Sequence, residues 1–524
     1  MRLKWIAAIT ALAVLLGGGA FAAVRLFGRA PTDNALELAP ADSVLYGNVF
    51  LHPSMSQKSA LRALLAKLPT YNTPAQASAA LEGVVNRLLS GTGLDYASDV
   101  RPWLGPQIAG FATSDSPRRG SHALLLAAAD PEAGLESIVT AEGLSGQWEE
   151  RNYDGVGYRL YRGDLGHGER APLAVGALES FVVAGNEAGF RAAVDASRGA
   201  SLADSGAYEE AIEGLSRDRL ALVYYDPSEA LQGLGPSPLS MMGGGALPGL
   251  GTHKPAAAIL YARSDGLVFE SSSPLPSDDA TQELFEAATE PGLVADLPAD
   301  SSVAFGVSEV GRALEGLVRG FAETGLGAAA VEQQFKAETG LDLRRDLLSW
   351  MGSMGVSVQG SSLVELRGGI VIESRNQAAS TRAIEAVRRL LERHEAPLKP
   401  LPLPELEGFA LGDESLPEDV NVVASDDVVI AYGKEATLEL LDPERTLGDT
   451  ELYRRAAASL GDEFAISAFV NAPKVVSLLE AMGAGSDPTY SEEIKPLLDH
   501  LSYGAAGLRL RGDKVIQKAV LGID

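Results

Sequence analysis

The sequence contains no cysteine and only six histidines. The missing cysteine excludes disulfides, zinc–thiolate and iron–sulfur centres, cysteine nucleophiles and a cysteine-linked lipid anchor. The histidines form no His-x-x-x-His or His-Glu-x-x-His pair, and the sequence has neither a Gly-x-Ser-x-Gly elbow nor a Gly-x4-Gly-Lys-[Ser/Thr] phosphate loop. We therefore expect no metal, no cofactor and no catalytic residues.

Positive charge is also scarce. The chain has 43 Lys and Arg against 70 Asp and Glu, a formal net charge of −27. A polyanion of this kind is repelled by nucleic acid and by anionic lipid headgroups, so nucleic acid is not an expected partner. The acidity also serves solubility.

The first thirty residues concern location. Arg2 and Lys4 precede an apolar run over residues 5–24 that only Thr10 interrupts. Twenty such residues span roughly 30 Å as a helix, the thickness of a bilayer core. The basic amino end favours a cytoplasmic N-terminus. We predict that residues 1–30 form a single-pass membrane anchor and that the bulk is extracytoplasmic.

A cleaved signal sequence is the alternative for this segment. Ala-Phe-Ala at residues 20–22 has the small-x-small pattern that signal peptidase reads, and its cleavage would give a secreted protein. The length of the apolar run and the basic residues directly after it favour the uncleaved anchor.

The rest of the chain repeats itself. "LAPADSVLYGNVF" (38–50) is echoed by "LPADSSVAFGVSE" (297–309), and "SLADSGAY" (201–208) by "TLGDTELY" (446–453). Six such correspondences occur in the same order, with offsets between 245 and 259, which indicates a tandem duplication.

The 524 residues are too many for one ordinary core. Alternating strands, amphipathic helices and hairpin turns predict the α+β class: two homologous domains, each a mainly antiparallel sheet with helices packed on one face. We place repeat 1 at residues 36–275, a polar linker at 276–294 and repeat 2 at 295–524.

One repeated motif is the strongest candidate for a site. "TGLDYASDVRPWLG" (92–105) and "TGLDLRRDLLSWMG" (339–352) share Asp, Asp, Trp and Gly at equal spacing, 247 positions apart. The motif residues are Asp95, Asp99, Trp103, Gly105, Asp342, Asp346, Trp350 and Gly352.

Each motif residue has a structural interpretation. We predict that Asp99 and Asp346 cap a short helix and that Trp103 lies on its apolar face with Val100 and Leu104. Asp95 and Asp342 would lie in the preceding turn. Gly105 and Gly352 would adopt the left-handed conformation that ends the helix. The motif is thus predicted to mark a fold that occurs twice, with a Trp-lined ligand contact as the alternative.

These motifs carry a resemblance. The Ala-Asp strand near residue 42, the Gly-x-Asp…Asp-x-x-x-Trp-[Leu/Met]-Gly segment and a later Leu-x-Asp-[Ser/Thr]-x-x-Tyr resemble a bacterial family known as domain of unknown function 3352, from about residue 36 to the end. The resemblance implies membrane-anchored extracytoplasmic proteins and supplies no catalytic residues.

Three functions follow in order of preference. The first is a non-enzymatic, membrane-tethered interaction or envelope-scaffold protein with an unknown protein or lipid partner. The second is a carrier of lipid or another hydrophobic ligand, and the third an enzyme. The apolar Gly/Pro/Met-rich segment 234–252 is either a partner contact or an insertion.

Overall fold

The computed structural model describes residues 32–68, 95–113, 120–141, 148–163, 172–226, 254–275, 292–323, 328–412, 417–488 and 490–524, with isolated residues at 82, 86, 282, 285, 286, 288 and 289. Two compact units divide the chain; their described parts end and begin at Pro274 and Leu275. The predicted anchor (1–30), the segment 234–252 and most of the predicted linker lie outside the described residues.

Unit 1 is built on a ten-stranded sheet within the described residues. The strands are β1 (Leu45–Phe50), β2 (Leu104–Ala112), β3 (His122–Ala128), β4 (Trp148–Tyr153), β5 (Val156–Tyr161), β6 (Leu173–Leu178), β7 (Phe181–Gly185), β8 (Ala221–Tyr225), β9 (Ala256–Arg263) and β10 (Gly266–Pro274). Their order is β10-β9-β8-β1-β2-β3-β7-β6-β5-β4, and every neighbouring pair is antiparallel.

Four α-helices accompany this sheet in the described part. They are α1 (Met55–Leu65), α2 (Pro131–Val139), α3 (Glu187–Ala196) and α4 (Gly206–Ile212). Each begins at a residue whose side chain accepts a first-turn amide, as Asn186 accepts from Gly189 at 2.6 Å. One-turn helices lie at Asn34–Leu38, Tyr96–Val100 and Leu202–Asp204.

Unit 2 repeats the ten-strand plan. Its strands are β11 (Ser301–Val307), β12 (Met351–Gln359), β13 (Arg367–Ser374), β14 (Leu398–Lys399), β15 (Gly408–Leu411), β16 (Val420–Ala424), β17 (Asp427–Tyr432), β18 (Ala465–Asn471), β19 (Leu501–Arg511) and β20 (Lys514–Ile523). The order is β20-β19-β18-β11-β12-β13-β17-β16-β15-β14, again antiparallel throughout.

The described α-helices of unit 2 are more numerous. They are α5 (Val310–Glu323), α6 (Ala328–Thr339), α7 (Gln377–Arg393), α8 (Lys434–Leu441), α9 (Glu451–Leu460), α10 (Ala472–Ala481) and α11 (Lys495–Leu498). One-turn helices lie at Leu293–Asp296, Leu343–Leu348, Leu447–Asp449, Ala484–Ser486 and Tyr490–Ile494.

Helices cover both faces of the unit 1 sheet, so the prediction of helices on one face is wrong. Phe181 and Val183 pack in one apolar cluster with Phe190 of α3, whereas Val182 between them packs in a second cluster with Ile138 of α2. Because neighbouring strand residues point to opposite faces, α2 and α3 lie on opposite sides. The sequence analysis took alternating strands as buried on one face. A strand buried on both faces has apolar residues at consecutive positions, and this pattern is not distinguished by looking for alternation alone.

The unit 2 sheet is covered on both faces as well. Val428 of β17 packs with Ala383 of α7. On the other face, the Asn421 amide of β16 donates to Thr437 of α8 at 3.0 Å. The strand register pairs Ala424 with Val428, and Asn421, three residues from Ala424, points the opposite way.

The predicted α+β class with a large antiparallel sheet is confirmed. Hairpin turns, which the sequence predicts in general terms, are found at 263–266 and 511–514, with Arg263 opposite Gly266 and Arg511 opposite Lys514. Among the described residues, no helix combines the length and apolar character needed to cross a membrane.

Candidate functional site

In unit 1 the two aspartates of the motif hold a short π-helical turn, Tyr96–Val100. The Asp95 carboxylate accepts from the Ser98 amide at 3.0 Å, and the Asp99 carboxylate accepts from the Asp95 amide at 2.7 Å. Each aspartate side chain therefore accepts a hydrogen bond from a backbone amide near the other aspartate. The hydrogen bond from the Ser98 amide is the main cause of a lowered Asp95 pKa.

Trp103 fixes this turn to the rest of the unit. Its side chain is 5 % exposed and packs with Val100, Ile138 and Val182. The indole Nε1–H donates to the Asp99 carbonyl at 2.5 Å. The tryptophan thus joins the turn, α2 and the sheet.

Two glycines near Trp103 in the structure or in the chain stand where a side chain would not fit. A Cβ at Gly134 of α2 would lie 2.8 Å from the Trp103 ring and 2.7 Å from Val182. A Cβ at Gly105 would lie 3.0 Å from the Ala127 carbonyl. Close approach of neighbouring backbone and ring therefore accounts for both glycines.

In unit 2 the same arrangement recurs over Leu343–Leu348. Asp342 accepts from the Arg345 amide at 3.1 Å, and Asp346 accepts from the Asp342 amide at 2.9 Å. The Arg345 guanidinium also donates to both oxygens of Asp346, at 2.9 and 2.8 Å. This bond holds the pKa of Asp346 well below its usual range.

Trp350 is 1 % exposed and packs with Ala379, Ala383 and Val428. Its indole nitrogen has no hydrogen-bond partner among the described residues, unlike that of Trp103. A Cβ at Gly352 would lie 2.7 Å from the Glu373 carboxylate. The second tryptophan therefore keeps the packing role and lacks the hydrogen bond.

Two details of the predicted motif are wrong. The residues that begin the turns are Asp95 and Asp342, four positions before the predicted caps Asp99 and Asp346. The turns use the wider π-helical bonding, as in the 2.7 Å bond from the Arg101 amide to the Tyr96 carbonyl. The sequence interpretation assumed ordinary α-helical spacing.

The other correction concerns the end of the motif. The first turn ends at Val100, so Trp103 follows the helix and Leu104 begins β2. Gly105 and Gly352 lie within strands, and neither has the positive φ of a helix-ending glycine. Their absent side chains, not a left-handed backbone, are what these positions require.

The profile of the family described as "Protein of unknown function (DUF3352)" matches residues 6–403. The chain belongs to this family. The match begins earlier than the resemblance in the sequence predicted and ends within unit 2, well before residue 524.

Other comparisons add little to the DUF3352 assignment. No curated protein matches the chain. Two crystal structures of TP0453, crystal forms IV and I, are 13% and 10% identical to it. They cover 47% and 48% of this chain and 82% of their own, each with a TM-score of 0.25, which is too low to establish a common fold.

The motif of this DUF3352 chain offers little for chemistry. The carboxylates of its aspartates accept hydrogen bonds from backbone amides, and its two tryptophans are buried. Within the described ranges, no group of three or more His, Asp or Glu side chains is placed to hold a metal ion. The aspartates stabilise the turn, and the tryptophan packs it against the sheet.

Two surface grooves are open to solvent. One, of about 450 Å³, is in unit 2 and is lined mostly by small or polar residues: Gln377, Ala378, Thr381, Glu405, Leu406, Glu407, Ala424 and Ser425. The other, of about 380 Å³, is in unit 1 and is lined by Pro40, Ala41, Asp42, Ala192, Asp195, Ala196 and Ala200. Apart from Ala424 of β16, both grooves are lined by residues outside the strands.

The sequence interpretation missed a buried polar cluster in unit 1. Tyr46 and Asn48 lie two positions apart on β1, at 0% and 1% exposure, and both donate to Asp33. Asn48 in an otherwise apolar strand was the available signal. It could not be used without knowing that Asp33 lies beside that strand.

Proposed function

We propose that this DUF3352 chain is a non-enzymatic, membrane-tethered, extracytoplasmic interaction or envelope-scaffold protein. It would consist of an N-terminal anchor at residues 1–30 and two homologous α+β domains at 36–275 and 295–524. Its partner would be another protein, or a lipid of the envelope that the chain contacts at its surface and does not enclose. Nucleic acid is disfavoured by the net charge of −27.

The duplication is supported by topology. The two units have the same ten-strand order and the same pairing partners at each step. A bulge interrupts the pairing of β2 with β3 after Leu104, and one interrupts β12 with β13 after Met351. An irregularity at matching points is what descent from one ancestral unit leaves behind.

One observation supports the scaffold role above the others: each sheet is packed on both faces. Unit 1 has an apolar cluster on either face, and in unit 2 the neighbouring residues Val428 and Val429, which point to opposite faces, are both buried. In unit 1, residues of eight strands contribute to the two clusters, and several glycines leave too little space for even a methyl group. A carrier needs apolar volume to spare, whereas a scaffold needs rigid surfaces.

The absence of cysteine allows a clean test of location, because each introduced cysteine is the only thiol. Full-length Ser486→Cys, at an exposed position, is expected to react with a membrane-impermeant maleimide in intact cells or spheroplasts. Lys4→Cys, on the other side of the apolar run, is the matched control and is expected to react only after lysis.

Both variants are expected to remain in the membrane fraction after a high-salt wash. Labelling of Lys4→Cys together with protection of Ser486→Cys in intact cells would contradict the proposed orientation. Recovery of the chain in the soluble fraction, shortened at its amino end, would contradict the anchor and favour secretion.

A further inference from the structure

The buried polar cluster of unit 1 centres on one carboxyl group. Asp33 Oδ1 accepts from the Tyr46 hydroxyl at 2.6 Å and from Asn48 Nδ2 at 2.7 Å. Asn48 Nδ2 also donates to Gln107 Oε1 at 3.0 Å, and Gln107 is 2% exposed. A carboxyl group is thus bonded at one oxygen inside a largely apolar core.

The other oxygen of this carboxyl group is different. Asp33 Oδ2 is inaccessible to solvent and has no hydrogen-bond partner among the described residues, although the residue as a whole is partly exposed. Asn48 Oδ1 is a second buried acceptor without a partner in the same part of the structure. A proton on Oδ2 would turn one of these two acceptors into a donor.

The surroundings favour that proton. Burial raises the pKa of Asp33, and this effect outweighs the opposing bonds from Tyr46 and Asn48, the Arg219 charge and the Ala35 amide. Besides Arg219, the titratable groups around the cluster include Tyr46 on β1, Tyr208 on α4 and Tyr224 on β8. Burial raises the pKa of each tyrosine, so the three hydroxyls stay neutral.

Unit 2 folds in the same way without this cluster. Gly292 stands at the position of Asp33, directly before the corresponding one-turn helix. Ala304 stands at the position of Tyr46: Tyr46 is opposite Tyr224 in the sheet, and Ala304 is opposite Phe469. Gly306 then replaces Asn48. Because the fold does not require the polar residues, they serve something particular to unit 1.

Asp33 also has a distinctive place in the chain. It directly precedes the one-turn helix Asn34–Leu38, whose Ala35 and Leu38 are fully buried in the core. The next residue, Ala39, accepts from the Leu202 amide at 2.7 Å. Residues 33–39, here named the N-terminal clasp, therefore connect whatever precedes residue 33 to the core of unit 1.

We propose that Asp33 is a proton-binding site that controls the N-terminal clasp. With Oδ2 protonated, the carboxyl group is neutral and the clasp is closed. Once ionised, it is a buried charge with an unbonded oxygen, which is relieved when the clasp opens to water. The clasp thereby makes the attachment of the N-terminal segment depend on pH.

The direction of the effect follows from linkage. The folded-state pKa is raised above the reference value of 3.8, so the closed clasp binds the proton more tightly than the open one. The stabilisation is fully present below that reference value and is lost as the pH rises through the raised pKa. Between the two values, each pH unit favours opening by up to about tenfold, and above the raised pKa the dependence on pH ends.

Hydrogen–deuterium exchange on the full-length chain tests this proposal. Protection of the peptide 33–39, corrected for intrinsic exchange rates, is measured from about pH 4 to about pH 8. In the wild-type chain, protection is expected to fall by up to about tenfold per pH unit between the reference value of 3.8 and the raised pKa, and to level off above it. Asp33→Asn, an isosteric mimic of the protonated acid, is expected to keep high protection throughout.

Asp42→Asn removes an exposed carboxylate nine positions along the chain and is the matched control, expected to follow the wild type. The β7 peptide (181–185) reports whether each variant is folded. A wild-type profile without pH dependence would overturn the proposal even if Asp33→Asn failed to fold. An equal slope in wild type and folded Asp33→Asn would overturn it as well.

Discussion

The two units keep some features in common and differ in others. Both keep the reciprocal aspartates, the buried tryptophan and the strand glycine of the twin motif. They differ at the sheet centre. Unit 1 has Tyr46 and Asn48 there, and the corresponding positions of unit 2 are occupied by Ala304 and Gly306. Features present in both units are those that the fold requires, and the differences mark where one unit acquired a task of its own.

A second difference lies within the shared motif. The Trp103 indole N–H is bonded to the Asp99 carbonyl, whereas the Trp350 indole has no partner in the described part of the chain. The tryptophan is retained in both units, so apolar packing and not its hydrogen bond is the common requirement.

The largest expected effect is the loss of either tryptophan. Trp103→Ala and Trp350→Ala are each expected to lower the free energy of unfolding by about 3–5 kcal/mol, because each leaves a cavity between a helix and a sheet. Denaturant unfolding of the full-length chain measures this. Val364→Ala, at a side chain 98% exposed, is the control and should stay within about 0.5 kcal/mol of wild type. A decrease in the free energy of unfolding below about 1 kcal/mol for both variants would contradict the packing role of the tryptophans.

The next effect concerns a difference between the units in the helix that packs on the tryptophan. Gly134→Ala is expected to destabilise unit 1 by about 1–3 kcal/mol, because the new methyl group would meet Trp103 and Val182. Gly157→Ala, where nothing lies within 4 Å of the new methyl group, is the matched control. Unit 2 already has Ser380 four residues after its helix cap, where unit 1 has Gly134. A neutral Gly134→Ala would remove this distinction between the two packings.

A smaller effect concerns pH. The Arg345 bond lowers the pKa of Asp346, so its contribution to stability is present above the reference value of 3.8 and is lost as the pH falls through the folded-state pKa. The difference in Tm between wild type and Asp346→Asn is therefore expected to be largest near neutral pH and to shrink in acid. Asp99→Asn, with Ser98 in place of the arginine, is the comparison in unit 1. A Tm difference that does not change with pH would contradict the assigned ion pair.

The smallest effect tests the indole hydrogen bond. Trp103→Phe loses both ring area and a bond to the Asp99 carbonyl, whereas Trp350→Phe loses ring area alone. We expect the first variant to cost about 1 kcal/mol more in unfolding free energy than the second. Equal costs in matched unfolding experiments would show that the difference between the two indoles has no energetic weight.

Much of the fold could be predicted from the sequence because it depends on local patterns. Apolar alternation is visible in the sequences of β1, β5 and β7, and the 3.6-residue period in those of α1 and α7. Repeated motifs indicated the tandem order. Strand order could not be predicted, since it depends on pairings between residues far apart, such as Leu45 with Ala112.

The sequence predicted the apolar packing of Trp103, and this side chain is buried, but it did not predict the geometry of the motif. Asp95 and Asp99 are four positions apart, and the choice of cap depends on whether the turn is α or π, which side-chain types do not reveal. Gly105 could equally end a helix or allow a close strand contact. Asp33 was missed because its partners follow it by 13 and 15 positions.

Native mass spectrometry of the full-length protein, gently extracted from its host membrane, tests the central claim most directly. The scaffold account predicts particles whose mass is that of the chain alone or of the chain with a second protein. A stoichiometric adduct of lipid mass that survives extraction and gas-phase activation would contradict it. Such a particle would mean that the chain encloses a hydrophobic ligand and is a carrier.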